Sequence, residues 1–319
     1  MDDTSDNTDN EDYYIKQLNA DKLKDLEVLY KAVYGSHLPQ NYYQKKYDTA
    51  YTGASYVGFV AYDTDNTPVA YYGVLPCFIQ YKDEIILAAQ AVDAMTHPQH
   101  RYKKLFTKLA SSTFKLCKQT GIRLIFGFPN QNSYHGHVHN LGWKVSENME
   151  RFTIPIYTFP LASLLRYFKW IQPIYIKYVN RVLHRYRITQ AGLPNPVIKE
   201  EYGGVFRDEK YLQHKTYSNT QVLKVGSTKV WVRIKNDLMI GDIEMTDDDL
   251  DKVIKVLKKI SKFLGVPAIS FQTSIGTYMH TAFAKRYKPL PSFPIIFLNL
   301  NTTIPVNKLK FTLADIDIF

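Results

Sequence analysis

The residues best placed to do chemistry fall in one stretch, Ala91-Val92-Asp93-Ala94-Met95-Thr96-His97-Pro98-Gln99-His100-Arg101-Tyr102-Lys103-Lys104-Leu105-Phe106. A strand-like run closes on a His-Pro pair, a short basic segment follows, and helical spacing begins. The first turn of a helix presents unpaired backbone N–H groups and the positive end of its dipole. Both favour a bound phosphate, and Arg101, Lys103 and Lys104 add positive charge. Asp93 lies on the same strand, three residues before Thr96. Further on, His135 and His139 are four apart and share a helix face, with His137 off it. No Asp, Glu or Cys accompanies them, so no metal is expected there. No Ser-His-Asp pattern, Walker loop or Rossmann fingerprint occurs in the chain.

These residues need elements to hold them. Leu23, Leu26, Leu29, Tyr30 and Val33 predict a helix over Asp21–Tyr34, capped by Asp21 and ended by Gly35. A second short helix is expected near Asn41–Asp48. Tyr56–Tyr62 and Val69–Leu75 flank the turn Asp63-Thr64-Asp65-Asn66 and predict a hairpin. Phe78–Tyr81 and Ile85–Met95 continue as strand, the latter long enough to bend or bulge. Tyr102–Gln119 returns to helical spacing, Leu124–Phe128 is a short strand, Ser133–Leu141 a helix and Trp143–Pro155 a strand. The class is α/β with a mixed sheet.

The second half echoes the first. Gly121–Lys144 laid on Gly265–Lys288 aligns without a gap and matches Gly121 to Gly265, Ile125 to Ile269, Tyr134 to Tyr278 and Lys144 to Lys288. Strands at Val222–Lys224, Lys229–Ile234 and Leu238–Met245 are followed by a helix at Asp247–Leu264. A strand at Ala268–Gln272, a helix near Thr277–Arg286 and a strand at Pro294–Asn299 complete the order. The expected organisation is an acidic disordered tail over residues 1–12, one α/β unit over 13–157, a basic aromatic helical linker over 158–205 and a second unit over 206–319. Leu161–Tyr186 is read as two helices broken at Pro173, with Leu164, Leu165, Phe168, Ile171, Ile174, Tyr178, Val179 and Val182 as apolar faces.

Composition bounds the rest. With 45% apolar and 22% charged residues the chain is globular, and 319 residues suffice for two cores. Cys77 and Cys117 are read as buried thiols in a reducing compartment. With no leader-like N-terminus and no membrane-length apolar run, a cytoplasmic location is expected. The net charge of +10 is uneven: residues 1–12 hold six acids and no base, whereas Arg151–Lys199 hold eight bases and no acid. No nucleic-acid motif accompanies that charge, and no nucleic-acid partner is expected.

The segment from Thr96 onward resembles the acetyl-CoA pyrophosphate loop of the GNAT N-acetyltransferase superfamily, in which Arg-Gly-x-Gly opens a helix. The two glycine positions are Tyr102 and Lys104 here, whose side chains must point away. Gly127-Phe128-Pro129-Asn130, Asn132-Ser133-Tyr134 and Leu141-Gly142-Trp143 resemble the later part of the same fold, in the form found in bacterial members associated with polysaccharide and amino-sugar modification. The resemblance implies a GNAT-like sheet, mostly antiparallel and flanked by helices, over about Asp21–Phe152, with a degenerate echo over roughly Tyr211–Leu300. It implies acetyl-CoA contacts from Met95, Thr96, Arg101, Tyr102, Lys103, Lys104, Leu105, Asn130, Asn132 and Ser133, and transfer to a small-molecule amine such as an amino sugar.

By the same resemblance the backbone at the splayed strand end, beside Thr96, polarises the thioester carbonyl, and the usual tyrosine acid falls on Val138; Asp93 is the best-placed carboxylate for a base, directly or through a water, its plainer role being a hydrogen bond to a neighbouring loop. Tyr134, one helical turn earlier, or His137 and His139 are the alternatives for that acid. At the matching place in the second unit Thr246-Asp247-Asp248 is acidic, so a single phosphate site is expected. Two other readings stand beside this one. The first is a GNAT-fold binding module without catalysis. The second is a membrane-surface protein using the basic aromatic segment over residues 161–187, whose plainer role is a bridge between units.

Overall fold

A computed structural model describes residues 12–165, 168–245 and 250–319. The acidic tail and the Thr246-Asp247-Asp248 contrast lie outside these residues. In chain order, β1 (Tyr14–Gln17) leads to α1 (Leu23–Tyr34) and α2 (Tyr42–Tyr47). The strands β2 (Gly58–Tyr62), β3 (Pro68–Tyr81) and β4 (Glu84–Thr96) then form an antiparallel meander. The turn between β2 and β3 closes as its residue types require. Asp63 accepts from the Asp65 and Thr67 N–H groups through its side chain, and Asn66 takes a φ of 61°. Next come α3 (Leu105–Gln119), β5 (Leu124–Gly127), α4 (Gln131–His135), a π-helical turn at Gly136–Asn140, and β6 (Lys144–Pro155).

The middle of the chain holds α5 (Leu161–Leu164), α6 (Gln172–Leu183), β7 (Arg187–Ile188), β8 (Gly204–Val205) and α7 (Glu209–His214). The two helices expected on either side of Pro173 are α5 and α6. Pro173 sits in the first turn of α6, where its missing N–H has no helical partner to lose. The second half follows as β9 (Gln221–Val225), β10 (Thr228–Ile234), β11 (Leu238–Glu244), α8 (Leu250–Leu264), β12 (Ala268–Thr273), α9 (Tyr278–Ala284) and β13 (Leu290–Asn299).

All thirteen strands join one mixed, mostly antiparallel sheet in the order β1-β2-β3-β4-β5-β13-β6-β12-β11-β10-β9-β7, with β8 on β3. Its centre is an exchange. β13 from the second half inserts between β5 and β6, while β6 pairs with β12. Each half therefore completes the sheet of the other. Both halves place a fifteen-residue helix before a left-handed glycine, Gly121 (φ 81°) and Gly265 (φ 63°). In both, a strand then pairs in parallel over only three residues, β4 with β5 and β11 with β12. On the first half, Leu23, Leu26 and Leu29 of α1 pack with Val60, Tyr71 and Val92, and Leu105 and Leu109 of α3 pack with Ala70 and Tyr72. On the second, Val253, Ile254, Leu257 and Ile260 of α8 cover β9 to β12.

Candidate functional site

The short parallel contact creates the cleft. Ala88, Ala89 and Gln90 of β4 pair with Leu124, Ile125 and Phe126 of β5, and no pairing follows. From Ala91 to Thr96 β4 diverges from β5, leaving a cleft of about 950 Å³. Its walls include Ala91–Thr96, Arg101, Tyr102 and Phe106 on one side and Gly127–Asn130, Asn132, Ser133 and His137 on the other. The expected irregularity of β4 is found at the same place. Tyr71 pairs with Met95 and Gly73 with Val92, so Asp93 and Ala94 together oppose Tyr72. Asp93 takes a φ of 50° in this bulge, which turns the strand and frees backbone from the ladder.

The mouth of the cleft is the basic loop. His97 caps the turn Pro98–His100 by accepting from the Gln99 N–H. Tyr102 and Lys104 then both adopt left-handed backbone, with φ of 65° and 56°. These are the two positions where the resembled loop carries glycine, and the backbone has the conformation that glycine provides. The Tyr102 side chain is fully exposed (101%) at the edge of the cleft. The Leu105, Phe106 and Thr107 N–H groups open the helix before its first bond, which runs from the Lys108 N–H to the Lys104 carbonyl. Consecutive donors around left-handed residues form a concave anion-binding nest, here at the positive end of a four-turn helix.

The other residues singled out from the sequence are placed as follows. Met95, Thr96, Arg101, Tyr102, Asn130, Asn132, Ser133, His137 and Asp93 border the cleft. Lys103 and Lys104 are exposed and do not line it, Leu105 is buried in the core, and Tyr134 stands outside the lining. Asn130 caps α4, its side-chain oxygen accepting from the Asn132 and Ser133 N–H groups. His137 is buried beside Tyr72, Phe106 and Trp143. Its Nδ1 lies 2.8 Å from the Ser133 carbonyl, which can only accept, so Nδ1 donates and Nε2 accepts from the Tyr72 hydroxyl at 3.0 Å. Burial pushes its pKa down, opposed by the Ser133 bond, so the ring is neutral with both nitrogens engaged. Among the described residues no His, Cys, Asp and Glu cluster of metal-binding type is present.

Several residues at the deep end were not legible in the sequence. Lys46 is 1% exposed, on the same face of α2 as Tyr42 and Tyr43, and its Nζ lies 2.7 Å from both Asp93 Oδ2 and Asp317 Oδ2. Burial would push this ammonium down, but the Asp317 and Asp93 carboxylates outweigh it and hold it well above the usual lysine range. The Tyr47 hydroxyl also donates to Asp93 Oδ2 at 2.7 Å, while Asp93 Oδ1 has no hydrogen bond among the described residues. A lysine at helical spacing from buried tyrosines was the available signal. Asp317 had none: Ile316, Asp317 and Ile318 reach the cleft from the end of the chain, joined there by Phe293 and Ile296 of β13.

The same terminal segment occupies the corresponding place in the second half. Bulged Gly241 of β11 lies against Phe319, whose ring would be 2.2 Å from a Cβ at that position. Asp242 beside it is locked in a buried cluster, with Arg207 bonded to Asp242 at 2.7 Å and to Asp315 at 2.8 Å, and Thr312 closing the ring. Where the first half opens, the second is filled by its own chain.

No curated protein sequence matches the chain. Residues 14–146 match the family model of the acetyltransferase (GNAT) domain. Among solved structures, the chain is similar to a GCN5-related N-acetyltransferase from Kribbella flavida, with 11% identity, a TM-score of 0.54, and 91% of this chain and 72% of that one covered. A GCN5-related N-acetyltransferase from Anabaena variabilis gives 10% identity and a TM-score of 0.54, over 91% of this chain and 73% of that one. Residues 14–146 thus match a GNAT acetyltransferase domain, and the chain shares its fold with solved structures of GCN5-related N-acetyltransferases.

Proposed function

We propose that the protein is an N-acyltransferase that moves an acetyl group from acetyl-CoA to a primary amine, with an amino sugar as the favoured acceptor class. The observation that carries this reading is the start of α3 beside the cleft, where the first-turn N–H groups of Leu105, Phe106 and Thr107 follow two left-handed non-glycine residues, Tyr102 and Lys104. Left-handed backbone costs an L-residue about 1–2 kcal/mol, and such strain gathers where a ligand uses the geometry. These donors and Arg101 would hold the pyrophosphate, with Met95, Thr96, Asn130, Asn132 and Ser133 along the rest of the arm. When bound, acetyl-CoA supplies an acyl group activated as a thioester.

The chain's own residues supply the remainder. The bulge at Asp93–Ala94 presents backbone toward the divergent strand end, where a carbonyl oxygen gaining charge needs a donor. Asp93 and Asp317, bridged by Lys46, give the deep end two carboxylates that suit a cationic amine. Asp93 Oδ1 is the atom we assign to receive the amine proton as the new C–N bond forms and the C–S bond breaks. Tyr134 is outside the cleft and both His137 nitrogens are engaged. A thiolate with a conjugate acid near pKa ~8.5 leaves without a strong protein acid, so we assign none.

We read the two halves as a duplicated unit in which only the first keeps an open cleft. Release of free thiol from acetyl-CoA, followed with a thiol-reactive dye against amino sugars, polyamines and peptide N-termini, tests the function. Turnover is expected with an amino sugar. Binding of acetyl-CoA with no turnover on any amine would favour the non-catalytic module.

A further inference from the structure

The middle of the chain exposes more apolar surface than its helical spacing predicts. Of the residues expected on buried faces, Phe168 is 49%, Ile174 63% and Tyr178 38% exposed. Trp170 (74%), Ile174, Tyr178, Lys177, Arg181 and Arg185 recur at helical spacing along the open side of the turn at Lys169–Ile171 and of α6. The apolar and basic groups therefore share one side instead of opposing each other.

The strip is extended by its neighbours. The hydroxyls of Tyr175 and Tyr178 donate to the Leu264 and Phe263 carbonyls, which seats α6 on the end of α8. The Thr158 hydroxyl donates to the Lys262 carbonyl, bringing exposed Tyr157 and Phe159 to the same end. There Phe263 is 57% exposed, with Lys259 over its ring at 6.0 Å and Lys262 exposed beside it. Aromatic rings at a rim, with lysine and arginine among them and no acid from Arg151 to Lys199, match the interfacial region of a bilayer rich in anionic lipid.

We propose that this face docks the protein on the surface of an anionic membrane, with Trp170 and its apolar neighbours entering the headgroup region and the bases meeting lipid phosphates. No described helix is long and apolar enough to cross a membrane, so the contact is peripheral. Nucleic acid offers the same charge but no apolar layer for Ile174, Phe159 and Phe263.

Trp143 and Trp231 are buried, so Trp170 is the one exposed tryptophan and reports directly on insertion. The full chain is mixed with vesicles of phosphatidylcholine alone or with phosphatidylglycerol added. The expected result is co-sedimentation and a blue-shifted tryptophan emission with the anionic vesicles only, weakened by added salt and absent from the emission of Trp170→Phe. Each basic residue near such a surface contributes roughly fivefold in affinity, so Lys177→Glu with Arg181→Glu and Arg185→Glu, which removes three bases and adds three acids, should weaken binding by at least roughly a hundredfold. These positions are exposed, and unchanged circular dichroism checks that the variants fold. Binding that ignores lipid charge or the triple reversal would overturn the proposal. So would binding to nucleic acid without binding to vesicles, or a self-association in solution that Trp170→Ser abolishes.

Discussion

Replacing Tyr102 by glycine should make the protein more stable, although the wild-type residue is the larger and more apolar one. Tyr102 holds a φ of 65° and is 101% exposed, so its side chain contributes no packing to offset the conformation. Glycine removes about 1–2 kcal/mol of left-handed strain and costs about 0.5–1 kcal/mol of chain entropy. The net gain is about 0.5–1 kcal/mol, which for a chain of this length moves Tm by only about 1–2 °C. Equilibrium urea denaturation is therefore the better assay, with the midpoint rising at unchanged slope. Tyr102→Val is the control, because a β-branched residue tolerates this region worst. It should lower stability by about 1 kcal/mol and weaken acetyl-CoA binding with it, whereas Tyr102→Gly keeps the N–H groups in place and the affinity unchanged. A Tyr102→Gly variant that is less stable than wild type, with Tyr102→Val harmless, would refute the left-handed loop and the nest built on it.

Arg101→Ala should weaken acetyl-CoA binding by about tenfold or more, since a charge-assisted bond contributes about 1.5–3 kcal/mol; Lys103→Ala, outside the cleft lining, should do much less, as calorimetry can show. Asp93→Asn should lower turnover by about 10² or more with little change in acetyl-CoA affinity, measured by initial rates beside binding. Gly241→Ala forces a Cβ against the Phe319 ring and should destabilise by about 1–3 kcal/mol, read by urea melts. Burial, opposed by Asp317 and Asp315, lowers the Lys215 ammonium to about 7, below its unfolded value. Above that folded value the unfolded chain binds the extra proton, so this group makes stability rise from pH 7 toward the ordinary lysine range. Burial raises the Cys117 thiol to about 12, and its contribution acts oppositely once unfolded thiols ionise near pH ~8.5. Urea midpoints between pH 7 and 8.5 should therefore climb in wild type and lose that component in Lys215→Met.

The elements around the cleft were legible because their signals are local. Alternation marks β2 and β3, 3.6-residue spacing marks α1, α3 and α8, and Gly121 and Gly265 end helices in the conformation that glycine favours. The similar order of elements in the two halves was visible for the same reason, since Ile125 and Ile269 are both buried strand residues. The exchange of β6 and β13 was not, because strand pairing between residues such as Arg151 and Gln272 leaves no mark on either segment alone. Tyr102 and Lys104 argued against the loop by their side chains, while the backbone kept the glycine geometry regardless. Lys46 reads as a solvated charge until Asp93 and Asp317, from distant parts of the chain, are seen to enclose it. His137 and Tyr134 looked interchangeable on one short helix. The π-helical turn separates them, burying the first and leaving the second outside the cleft.

Titration of acetyl-CoA into the full chain by calorimetry meets the central claim most directly. The open cleft of the first half and the filled one of the second predict one molecule bound per chain, with affinity reduced by about tenfold in Arg101→Ala and unchanged in Tyr102→Gly. No heat at all, or two equivalent sites per chain, would contradict it.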